Sequence, residues 1–524
     1  MGSDDAKNKY VGAALAAVMP VDDKPWYRKP NMVYLNFCLF SLLLLSSGNG
    51  FDGSMLNGLL ALPRWMEFMD HPTGSWLGFI SGGSNLGSIF LFPIIAWASN
   101  KFGRKRTIFV GHIILTVGVG LQTGATNPAM FVIARIVVGA ASACFGGCTP
   151  LLMTETAYPV HRGILTGLYM CGWYVGSFLA AWATFGTRNY ASDWCWRIPS
   201  VLQMVLPVLA LPGLFLIPES PRYLISIERH EEARAFLVKY HAEGDESSAL
   251  AAFEYEEINR NIQMEREFAK TTSYKQMLAT RPNRKRTFIT LFVGIFSQWC
   301  GQNVAGYYLS PVLRSIGVET VTKQTLINGF LQVWNLMCAL TGAFNVDRVG
   351  RRFLFLAATG GMLVSYILIT ALAATFAEGG SKAVGTAVIP FLFLMYGCYS
   401  LAFTPLMVAY PVEIWPYQLR SRGLATMWVS SAVAVFFNIF VNPIALEDIQ
   451  WRYYLIFVFV LAGGGIVIYF VFPETRGHSL EEMARVFGDE DAMGSSEDSL
   501  AEKLATEDRS EHLDDVHTPS EKAA

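Results

Sequence analysis

Charged residues are scarce in this chain of 524 residues: only 16% are Asp, Glu, Lys or Arg, whereas 52% are hydrophobic. Soluble domains carry about 25% charged residues. The composition therefore excludes an ordinary water-soluble protein and predicts a chain that lies in a lipid bilayer. The net charge of -2 gives no sign of a polyanionic partner, and we expect no nucleic acid to bind.

Cysteine is also sparse, and of the eight cysteines only Cys195 falls outside the apolar stretches. A disulfide framework is therefore not expected. Cys144 and Cys148 share a helix face, which is more typical of small packing residues than of a metal site. We find no metal-ligand cluster and no nucleophile–base pair, so we expect no metal, no cofactor and no enzymatic activity. Residues 1–31 lack the apolar core of a secretory signal.

Long apolar runs take the place of charge. Twelve predominantly apolar stretches lie at 33–60, 76–99, 107–125, 128–152, 163–185, 198–217, 287–311, 324–346, 353–377, 386–410, 423–444 and 454–472. A bilayer core of about 30 Å needs roughly 20 helical residues, and helices satisfy their backbone groups internally. We predict an all-α membrane protein with twelve transmembrane helices.

Three short motifs occur twice, in the same order and roughly 250 residues apart. The pairs are Asn100-Lys-Phe-Gly-Arg-Lys105 with Asp347-Arg-Val-Gly-Arg-Arg352, Glu155 and Arg162 with Glu413 and Arg420, and Pro218-Glu-Ser-Pro-Arg222 with Pro473-Glu-Thr-Arg-Gly477. A repeat of this length predicts two pseudo-symmetric halves of six helices each. Paired halves in a hydrophobic chain are typical of transporters.

Basic residues are concentrated in the loops after the second, fourth, eighth and tenth apolar stretches. Because basic short loops favour the cytoplasmic side, we predict that these loops and both termini are cytoplasmic, in the plasma membrane. The predicted segments are a cytoplasmic N-terminal segment (1–31), a six-helix bundle (32–217), a charged central loop with surface helices (218–285), a second six-helix bundle (286–472) and a largely disordered acidic tail (473–524).

The motifs at 218–222, 347–352 and 473–477 together resemble those of the sugar porter family of the major facilitator superfamily, over about residues 30 to 487. Local similarity is greater to the fungal branch that includes lactose and cellodextrin permeases; it lies at 167–173, 180–182 and 404–413. The resemblance implies that two six-helix bundles rock about a central substrate site.

Arginines at helix ends face acids of the repeated motifs. Ion pairs between them are expected to favour the state that is closed on the cytoplasmic side. The residues of this predicted gate are Arg104, Glu155, Arg162, Glu219, Arg222, Asp347, Arg348, Arg351, Glu413, Arg420 and Glu474. The alternative is that these side chains only anchor helix ends to headgroups. Asn100 replaces the acid of the family motif, so we expect a weaker gate in the first half.

Asp52 interrupts the first apolar stretch after Gly48-Asn-Gly-Phe. A charged Asp at the centre of a membrane helix costs about 2.5–3.5 kcal/mol, so such residues usually carry function. Burial disfavours the carboxylate, which is the property that a proton carrier needs. Arg135, within the apolar run 131–138, is the expected partner; the resemblance also implies an Arg here that interacts with the acid. The alternatives are a hydrated Asp52 near a helix end and an Arg135 that extends to the interface.

Sugar recognition requires amides and hydroxyls for the ring hydroxyls, and aromatic faces for the apolar side of the ring. Gln298 and Gln302 share one helix face, whereas Asn303 lies about 140° from Gln298 on an ideal helix. The three amides converge only if Gly301 loosens the helix. The resemblance implies that Gln298, Asn303 and Asn335 contact sugar, and interhelical hydrogen bonding is the alternative.

Met170, Ser177 and Val408 stand where hexose porters of the family carry amides or Trp. These replacements predict room for a sugar larger than glucose. The residues that would then supply additional contacts are Trp173, Trp334, Tyr410, Trp428 and Asn438.

The sequence thus predicts a transporter of a mono- or disaccharide, with a lactose- or cellobiose-like sugar favoured and with proton symport as the driving reaction. An exporter of a small secondary metabolite and a non-transporting sugar sensor are the alternatives. The helix amides favour a sugar substrate, and the short segment after Thr475 argues against a sensor.

Overall fold

The structure is a computed structural model that describes residues 18–19, 25–271, 273–476 and 486–488. Within these ranges it does not describe the side chains of residues 163, 267–271, 305, 344, 346–348 and 417–418. The predicted acidic tail and most of the predicted N-terminal segment therefore lie outside the described residues.

The first half is built from helices that cross the bundle in alternating directions. They are α1 (Pro30–Leu59), α2 (Pro63–Phe68), α3 (Gly74–Phe102), α4 (Arg104–Thr123), α5 (Pro128–Thr156), α6 (Pro159–Thr187), α7 (Trp194–Leu202) and α8 (Val205–Leu216). Proline opens α1, α5 and α6, where its missing N–H costs no hydrogen bond and its fixed φ suits the first turn.

Four helices connect the halves, and the second half repeats the pattern of the first. The connecting helices are α9 (Pro221–Ser226), α10 (His230–His241), α11 (Ala249–Thr271) and α12 (Gln276–Ala279). The second half holds α13 (Arg281–Trp299), α14 (Gln302–Ser315), α15 (Val321–Val349), α16 (Arg351–Ala377), α17 (Lys382–Thr386), α18 (Val388–Ile414), α19 (Tyr417–Asp448) and α20 (Tyr453–Val471).

Eleven helical spans in the described part of the chain are long and apolar enough to cross a bilayer. The predicted seventh stretch is not among them because it is divided: α13 ends at Trp299 and α14 begins at Gln302. Together, α13 and α14 cover the length of one crossing. The all-α membrane fold predicted from the sequence is confirmed, and two crossings are each made of two shorter helices, α7 with α8 and α13 with α14.

Close packing within the first half depends on glycine. A Cβ atom on Gly50 of α1 would lie 1.9 Å from the Trp173 carbonyl oxygen, and one on Gly176 of α6 would lie 1.7 Å from the Ser47 carbonyl oxygen. Small residues of this kind let helix backbones approach in a bilayer, where the hydrophobic effect does not drive helices together. The pairing of α1 with α6 is therefore fixed by these two positions.

The two ends of the bundle differ. We call the end that carries Gly103 and Gly350 the basic end, and the end that carries the α1–α3 connection the opposite end. The halves are joined at the opposite end, where Asn57 of α1 accepts a hydrogen bond from the Leu309 N–H (3.0 Å) and Arg314 donates to the Leu60 carbonyl (2.7 Å). These hydrogen bonds hold α1 and α14 together at this end.

Candidate functional site

Asp52 and Arg135 form an ion pair between α1 and α5. Arg135 Nη1 lies 3.3 Å from Asp52 Oδ1, and neither side chain is more than 7% exposed. Arg135 also donates from Nε to the Ile80 carbonyl (3.1 Å) and from Nη2 to Ser84 Oγ (3.2 Å), both on α3. The guanidinium is thus bound on all sides within the protein and does not extend to the interface.

The approach of α5 to α3 places Arg135 in this position. A Cβ atom on Gly139 would lie 1.8 Å from the Ser84 carbonyl oxygen, and one on Gly87 would lie 1.9 Å from the Ile136 carbonyl oxygen. Because both contacts exclude any larger residue, α3 and α5 are in backbone contact beside Arg135. This contact brings the Ile80 carbonyl and the Ser84 hydroxyl within reach of the guanidinium.

Trp173 of α6 lies next to the ion pair. A Cβ atom on Gly53, the residue after Asp52, would lie 2.9 Å from Trp173 Cζ2 and 3.9 Å from the Tyr307 hydroxyl. Trp173 is 40% exposed, although one edge of its ring contacts α1. An exposed indole face beside a phenol hydroxyl offers both an apolar surface and a hydrogen-bonding group, and a pyranose ring presents complementary groups.

Gly301 separates α13 from α14. It adopts a left-handed conformation (φ 94°, ψ −10°), which favours glycine strongly. A Cβ atom here would also lie 2.3 Å from the Tyr366 hydroxyl oxygen, and that hydroxyl donates a 2.7 Å hydrogen bond to the Gly301 carbonyl. Both the backbone conformation and the contact with Tyr366 therefore require glycine at this position.

The break at Gly301 brings three amide side chains together. Asn303 Nδ2 donates to the Gln298 carbonyl (3.0 Å) and to Gln298 Oε1 (3.3 Å), and Gln302 Nε2 donates to Asn303 Oδ1. Gln298 Nε2 in turn donates to Ser431 Oγ of α19 (3.0 Å). The three amides therefore converge, as the sequence predicted for a helix that is loosened at Gly301. Because Gln302 is only half buried, this amide group is accessible to a ligand.

Three other candidate contacts are placed differently. Asn335 of α15 is 1% exposed and donates to Gln332 Oε1 at 3.5 Å. Asn438 of α19 accepts a 2.8 Å hydrogen bond from Asn442. Tyr410 is fully buried, stacks on Phe472 and donates to the Pro473 carbonyl (2.8 Å).

Tyr410 therefore lies in the apolar core near the basic end, and we do not retain it as a substrate contact. Trp334 was also predicted as an additional contact, and it donates from its indole nitrogen to the Phe393 carbonyl (2.8 Å). Trp334 and Trp428 are each 40% exposed. Ser177 uses its hydroxyl on the Gly50 carbonyl (3.0 Å). That bond leaves Ser177 as a structural link between α6 and α1.

At the basic end of the first half, a cluster of side chains joins α4, α5 and the segment after α8. Arg104 Nη2 donates to Glu155 Oε1 (3.1 Å), and Ser220 Oγ donates to Glu155 Oε2 (2.5 Å). The Glu219 carboxylate accepts hydrogen bonds from the backbone N–H groups of Arg104 and Lys105, both at 3.2 Å. Glu219 thus sits at the N-terminus of α4, where the helix dipole favours an anion. We call these residues the first-half cluster.

The second half repeats this cluster. Arg351 Nη2 donates to Glu413 Oε1 (3.0 Å), and Thr475 Oγ1 donates to Glu413 Oε2 (2.5 Å). The Glu474 carboxylate accepts from the backbone N–H groups of Arg351 (2.9 Å) and Arg352 (3.0 Å), at the N-terminus of α16. We call these residues the second-half cluster. Each cluster joins elements of its own half.

Burial and backbone hydrogen bonds shift the two capping acids in opposite directions. Burial raises the pKa of Glu219 and outweighs the N–H groups of Ser220, Lys105 and Arg104 that lower it. Burial also acts to raise the pKa of Glu474, but four backbone N–H groups together outweigh it and leave the pKa lowered. The four donors are those of Arg476, Arg351, Arg352 and Thr475.

The remaining predicted gate residues are distributed around these clusters. Arg222 pairs with Glu265 of α11 and lies 4.0 Å from Glu155. Arg162 is exposed, and Arg420 is half buried. The side chains of Asp347 and Arg348 lie outside the described residues.

Sequence reasoning missed the hydroxyls of Ser220 and Thr475 and the conformations of Gly103 and Gly350. The hydroxyl residues could have been found because each directly follows the Glu of its motif. Gly103 has φ 98° and Gly350 has φ 104°, and each directly precedes the helix whose N–H groups bind the carboxylate. A Gly in the same place of both repeated loops is the pattern that indicates them.

Comparison with known families gives one match over most of the chain. The family model described as "Sugar (and other) transporter" matches residues 38–487. The hexose transporter HXT13 of Saccharomyces cerevisiae is 26% identical over 84% of this chain and 80% of its own length. The MFS-type transporter criB of Aspergillus cristatus is 27% identical over 84% and 90%. The high-affinity glucose transporter of Kluyveromyces lactis is 27% identical over 94% of both chains.

Solved structures share the fold. The xylose transporter XylE from E. coli, in a partially occluded inward-open conformation, has a TM-score of 0.70 at 20% identity and covers 85% of this chain and 100% of its own. The proton:xylose symporter XylE bound to 6-bromo-6-deoxy-D-glucose has a TM-score of 0.68 at 21% identity, with coverage of 87% and 100%. These similarities confirm the major facilitator fold, while the narrower similarity to lactose and cellodextrin permeases stays a prediction.

Proposed function

The chain belongs to the sugar (and other) transporter family, and from this premise we propose that it moves a sugar across the membrane together with a proton. The observation that carries the proposal is the buried Asp52–Arg135 pair. Gly53, the residue after Asp52, lies close to Trp173 and to the hydroxyl of Tyr307, and Tyr307 is on the same helix as Gln302 and Asn303. A titratable carboxylate within a membrane protein is the usual basis of a proton relay.

In this proposal, proton and sugar are coupled through the contacts of α1. The Arg135 guanidinium attracts the Asp52 carboxylate across 3.3 Å. Protonation of Asp52 removes that attraction, whereas the bonds from Arg135 to Ile80 and Ser84 remain. The loss of one contact out of three frees α1 to move relative to α5.

Sugar binding also acts on α1, through α14. A sugar bound by Gln298, Gln302 and Asn303 contacts the first turn of α14, and α14 is bound to α1 through Asn57 and Leu309. A ligand shifts a conformational equilibrium only by binding one state better than another. In this proposal both ligands act on the position of α1, and each therefore changes the affinity for the other.

Substitution of Asp52 tests proton coupling. Asp52→Asn is expected to abolish uphill accumulation of labelled sugar in a yeast strain without its own sugar transporters, while equilibrium exchange remains. Asp70→Asn, at an exposed acid in the loop before α3, is the control. Accumulation by Asp52→Asn with unchanged pH dependence would contradict the role of Asp52.

For the substrate, we propose a β-linked disaccharide such as lactose or cellobiose. Met170, Ser177 and Val408 remove hydrogen-bonding side chains that a hexose site would use, and Ser177 uses its remaining hydroxyl on α1. Each neutral hydrogen bond contributes about 0.5–1.5 kcal/mol, so a hexose loses affinity that a longer sugar regains elsewhere. Competition against a labelled substrate distinguishes the sugars. Displacement by glucose at far lower concentration than by either disaccharide would leave a hexose transporter, and no uptake of any sugar would favour an exporter.

We further propose that the basic end faces the cytoplasm, in the plasma membrane. The basic loops at that end support this orientation. A reporter fused after residue 524 is expected to be inaccessible from outside intact cells. Labelling of that reporter by an impermeant reagent would reverse the orientation.

A further inference from the structure

Helix α15 carries a row of four amide side chains along one face. Gln324, Asn328, Gln332 and Asn335 are spaced by four, four and three residues, so they lie above one another on the helix. The row extends about 16 Å, from the opposite end of the bundle to its middle, at 1.5 Å of rise per residue. All four side chains are buried, with 6% exposure or less.

The row faces the interior between the halves. On one side of it, Gly329 contacts Trp182 of α6, with 3.2 Å between its Cβ position and the indole. On its other side, Trp334 donates to the Phe393 carbonyl of α18. The far side of α15 bears Phe330 and Met337, which are 53% and 59% exposed. The amides are therefore on the protected face, flanked by one helix from each half.

The amides bond to one another but leave polar atoms unused. Gln332 Nε2 donates to Asn328 Oδ1 (3.3 Å), and Asn335 Nδ2 donates to Gln332 Oε1 (3.5 Å). Among the described residues, Asn328 Nδ2, Asn335 Oδ1 and Gln324 Oε1 have no hydrogen-bond partner. Buried polar atoms are satisfied in the great majority of cases, and a row with one unbonded donor or acceptor at three of its four members offers these atoms to a ligand.

The free atoms match a polyhydroxylated ligand. Each amide offers a donor and an acceptor, and a sugar hydroxyl can use both. Because Asn335 is also the residue that reaches the middle of the bundle, a sugar held there by its first ring would direct a second ring along α15 toward Gln332 and Asn328. A single hexose ring would be too short to use the whole row.

We propose that Asn328 and Gln332, extending from Asn335, form a subsite for the second ring of an oligosaccharide substrate. This inference rests on the proposed function as a sugar transporter and adds residues that determine the length of the sugar. At the opposite end, hydrogen bonds of Asn57 and Arg314 join the two halves. The subsite is therefore reached from that side only after the halves separate there.

Uptake kinetics of paired sugars test the subsite. Asn328→Leu and Gln332→Leu remove the amides while keeping similar volume, and each is expected to raise the KM for cellobiose or lactose about two- to tenfold. The KM for glucose should stay within twofold of the unmodified protein. Thr325→Val is the matched control, because Thr325 is buried on the same turn and its hydroxyl is bound to the Val321 carbonyl of its own helix.

The outcomes separate the subsite from the proposed function. Uptake of glucose but not of disaccharides by the unmodified protein would overturn the subsite and leave a sugar transporter. Equal changes in the KM values for glucose and for the disaccharide would also overturn the subsite. So would unchanged KM values together with a higher melting temperature of the variant, because the row would then be structural. Asn328→Ser retains a hydrogen-bonding group, and it should raise the KM for the disaccharide less than Asn328→Leu does. The serine variant also provides a test if the leucine variant does not fold. No uptake of any sugar would refute both proposals.

Discussion

The clusters at the basic end of the two halves use the same design with different electrostatics. In each, an arginine at a helix start pairs with a glutamate of the neighbouring helix, and a second glutamate caps the same helix start. The pair in the first half is the more enclosed: Arg104 and Glu155 are 9% and 11% exposed, against 13% and 28% for Arg351 and Glu413.

The capping acids differ more. Glu219 has a raised pKa because burial dominates, whereas Glu474 has a lowered pKa because four backbone donors dominate. The balance between burial and the N–H groups that a loop presents, and not the sequence motif itself, thus sets the direction in which the pKa of a capping carboxylate shifts. The repeat preserves the contacts but not the electrostatic balance.

The largest expected effect comes from the glycines that precede the capped helices. Gly103→Ala and Gly350→Ala place a side chain in a backbone conformation that costs about 1–3 kcal/mol. The new Cβ would lie 2.5 Å from Glu219 Oε2 in the first case and 2.9 Å from Glu474 Oε2 in the second. We expect both variants to lose stability in detergent, with the larger loss for Gly103→Ala.

Thermal unfolding of the purified protein measures this difference, and Gly167→Ala is the control because nothing lies within 4 Å of its Cβ position. Equal losses for the two glycines would mean that the contact with the carboxylate does not matter.

The next effect separates the two capping acids. Glu474→Gln should destabilise the protein by about 2 kcal/mol at pH 7, since hydrogen bonds to a charged group are worth about 1.5–3 kcal/mol and Gln turns an NH2 group toward backbone donors. Glu219→Gln should cost less, because the neutral form of that acid is already favoured by burial. Denaturation of both variants at pH 7 measures the order, and a greater loss for Glu219→Gln would reverse the comparison.

A smaller effect is expected from the hydroxyls. Ser220→Ala and Thr475→Val each remove a hydrogen bond to a glutamate, Glu155 or Glu413, but Ser220 Oγ also accepts the N-cap bond from the Tyr223 N–H at the start of α9 (3.2 Å). We expect a loss of about 1–2 kcal/mol for Thr475→Val and a larger loss for Ser220→Ala, because a lost N-cap costs about a further 1 kcal/mol. Melting temperatures of the two variants measure the order, and an equal or smaller loss for Ser220→Ala would contradict it.

The smallest effect is a pH dependence of opposite sign. The raised pKa of Glu219 contributes stability below its usual value of 4.5, and that contribution is lost as pH rises through the raised pKa. The lowered pKa of Glu474 contributes stability above 4.5 that is lost as pH falls through the lowered pKa. Glu219→Gln should flatten the stability profile above pH 4.5, and Glu474→Gln should flatten it below. If either variant flattened the stability profile equally above and below pH 4.5, the opposite pKa shifts of Glu219 and Glu474 would be contradicted.

Much of the fold was readable from the sequence because membrane helices have a simple requirement of length and hydrophobicity. The apolar stretches located the crossings, and the repeated motifs located both clusters. Gly301 could be identified as the point where the amides converge, because glycine weakens a helix and Gly301 is the only glycine between Gln298 and Asn303. The pairing of Asp52 with Arg135 followed from the need of each buried charge for a partner.

Other features depend on which helix packs against a given helix face, and the sequence alone does not specify these packing partners. Gln298 binds Ser431, which is 133 residues away, and no local pattern indicates the partner. The unused amide atoms of Asn328 and Asn335 became visible only when their surroundings were known. Tyr410 lies less than one helical turn before Glu413, so its place near the basic end could have been inferred from the sequence.

The division of α13 from α14 has a consequence for how the chain is made. A crossing needs roughly 20 apolar residues, but α13 has 19 and opens with four basic residues, Arg281, Arg284, Lys285 and Arg286, while α14 has 14. Neither is suited to enter the bilayer alone during synthesis. Some of the contacts that hold α13 come from α19, where Ser431 binds Gln298 and the Ala434 carbonyl accepts from Trp299, whereas α14 is bound to α1 and α18 through Asn57 and Tyr396. Because α19 is synthesised more than a hundred residues later, the contacts between α13 and α19 are expected to form only after most of the second half has left the ribosome.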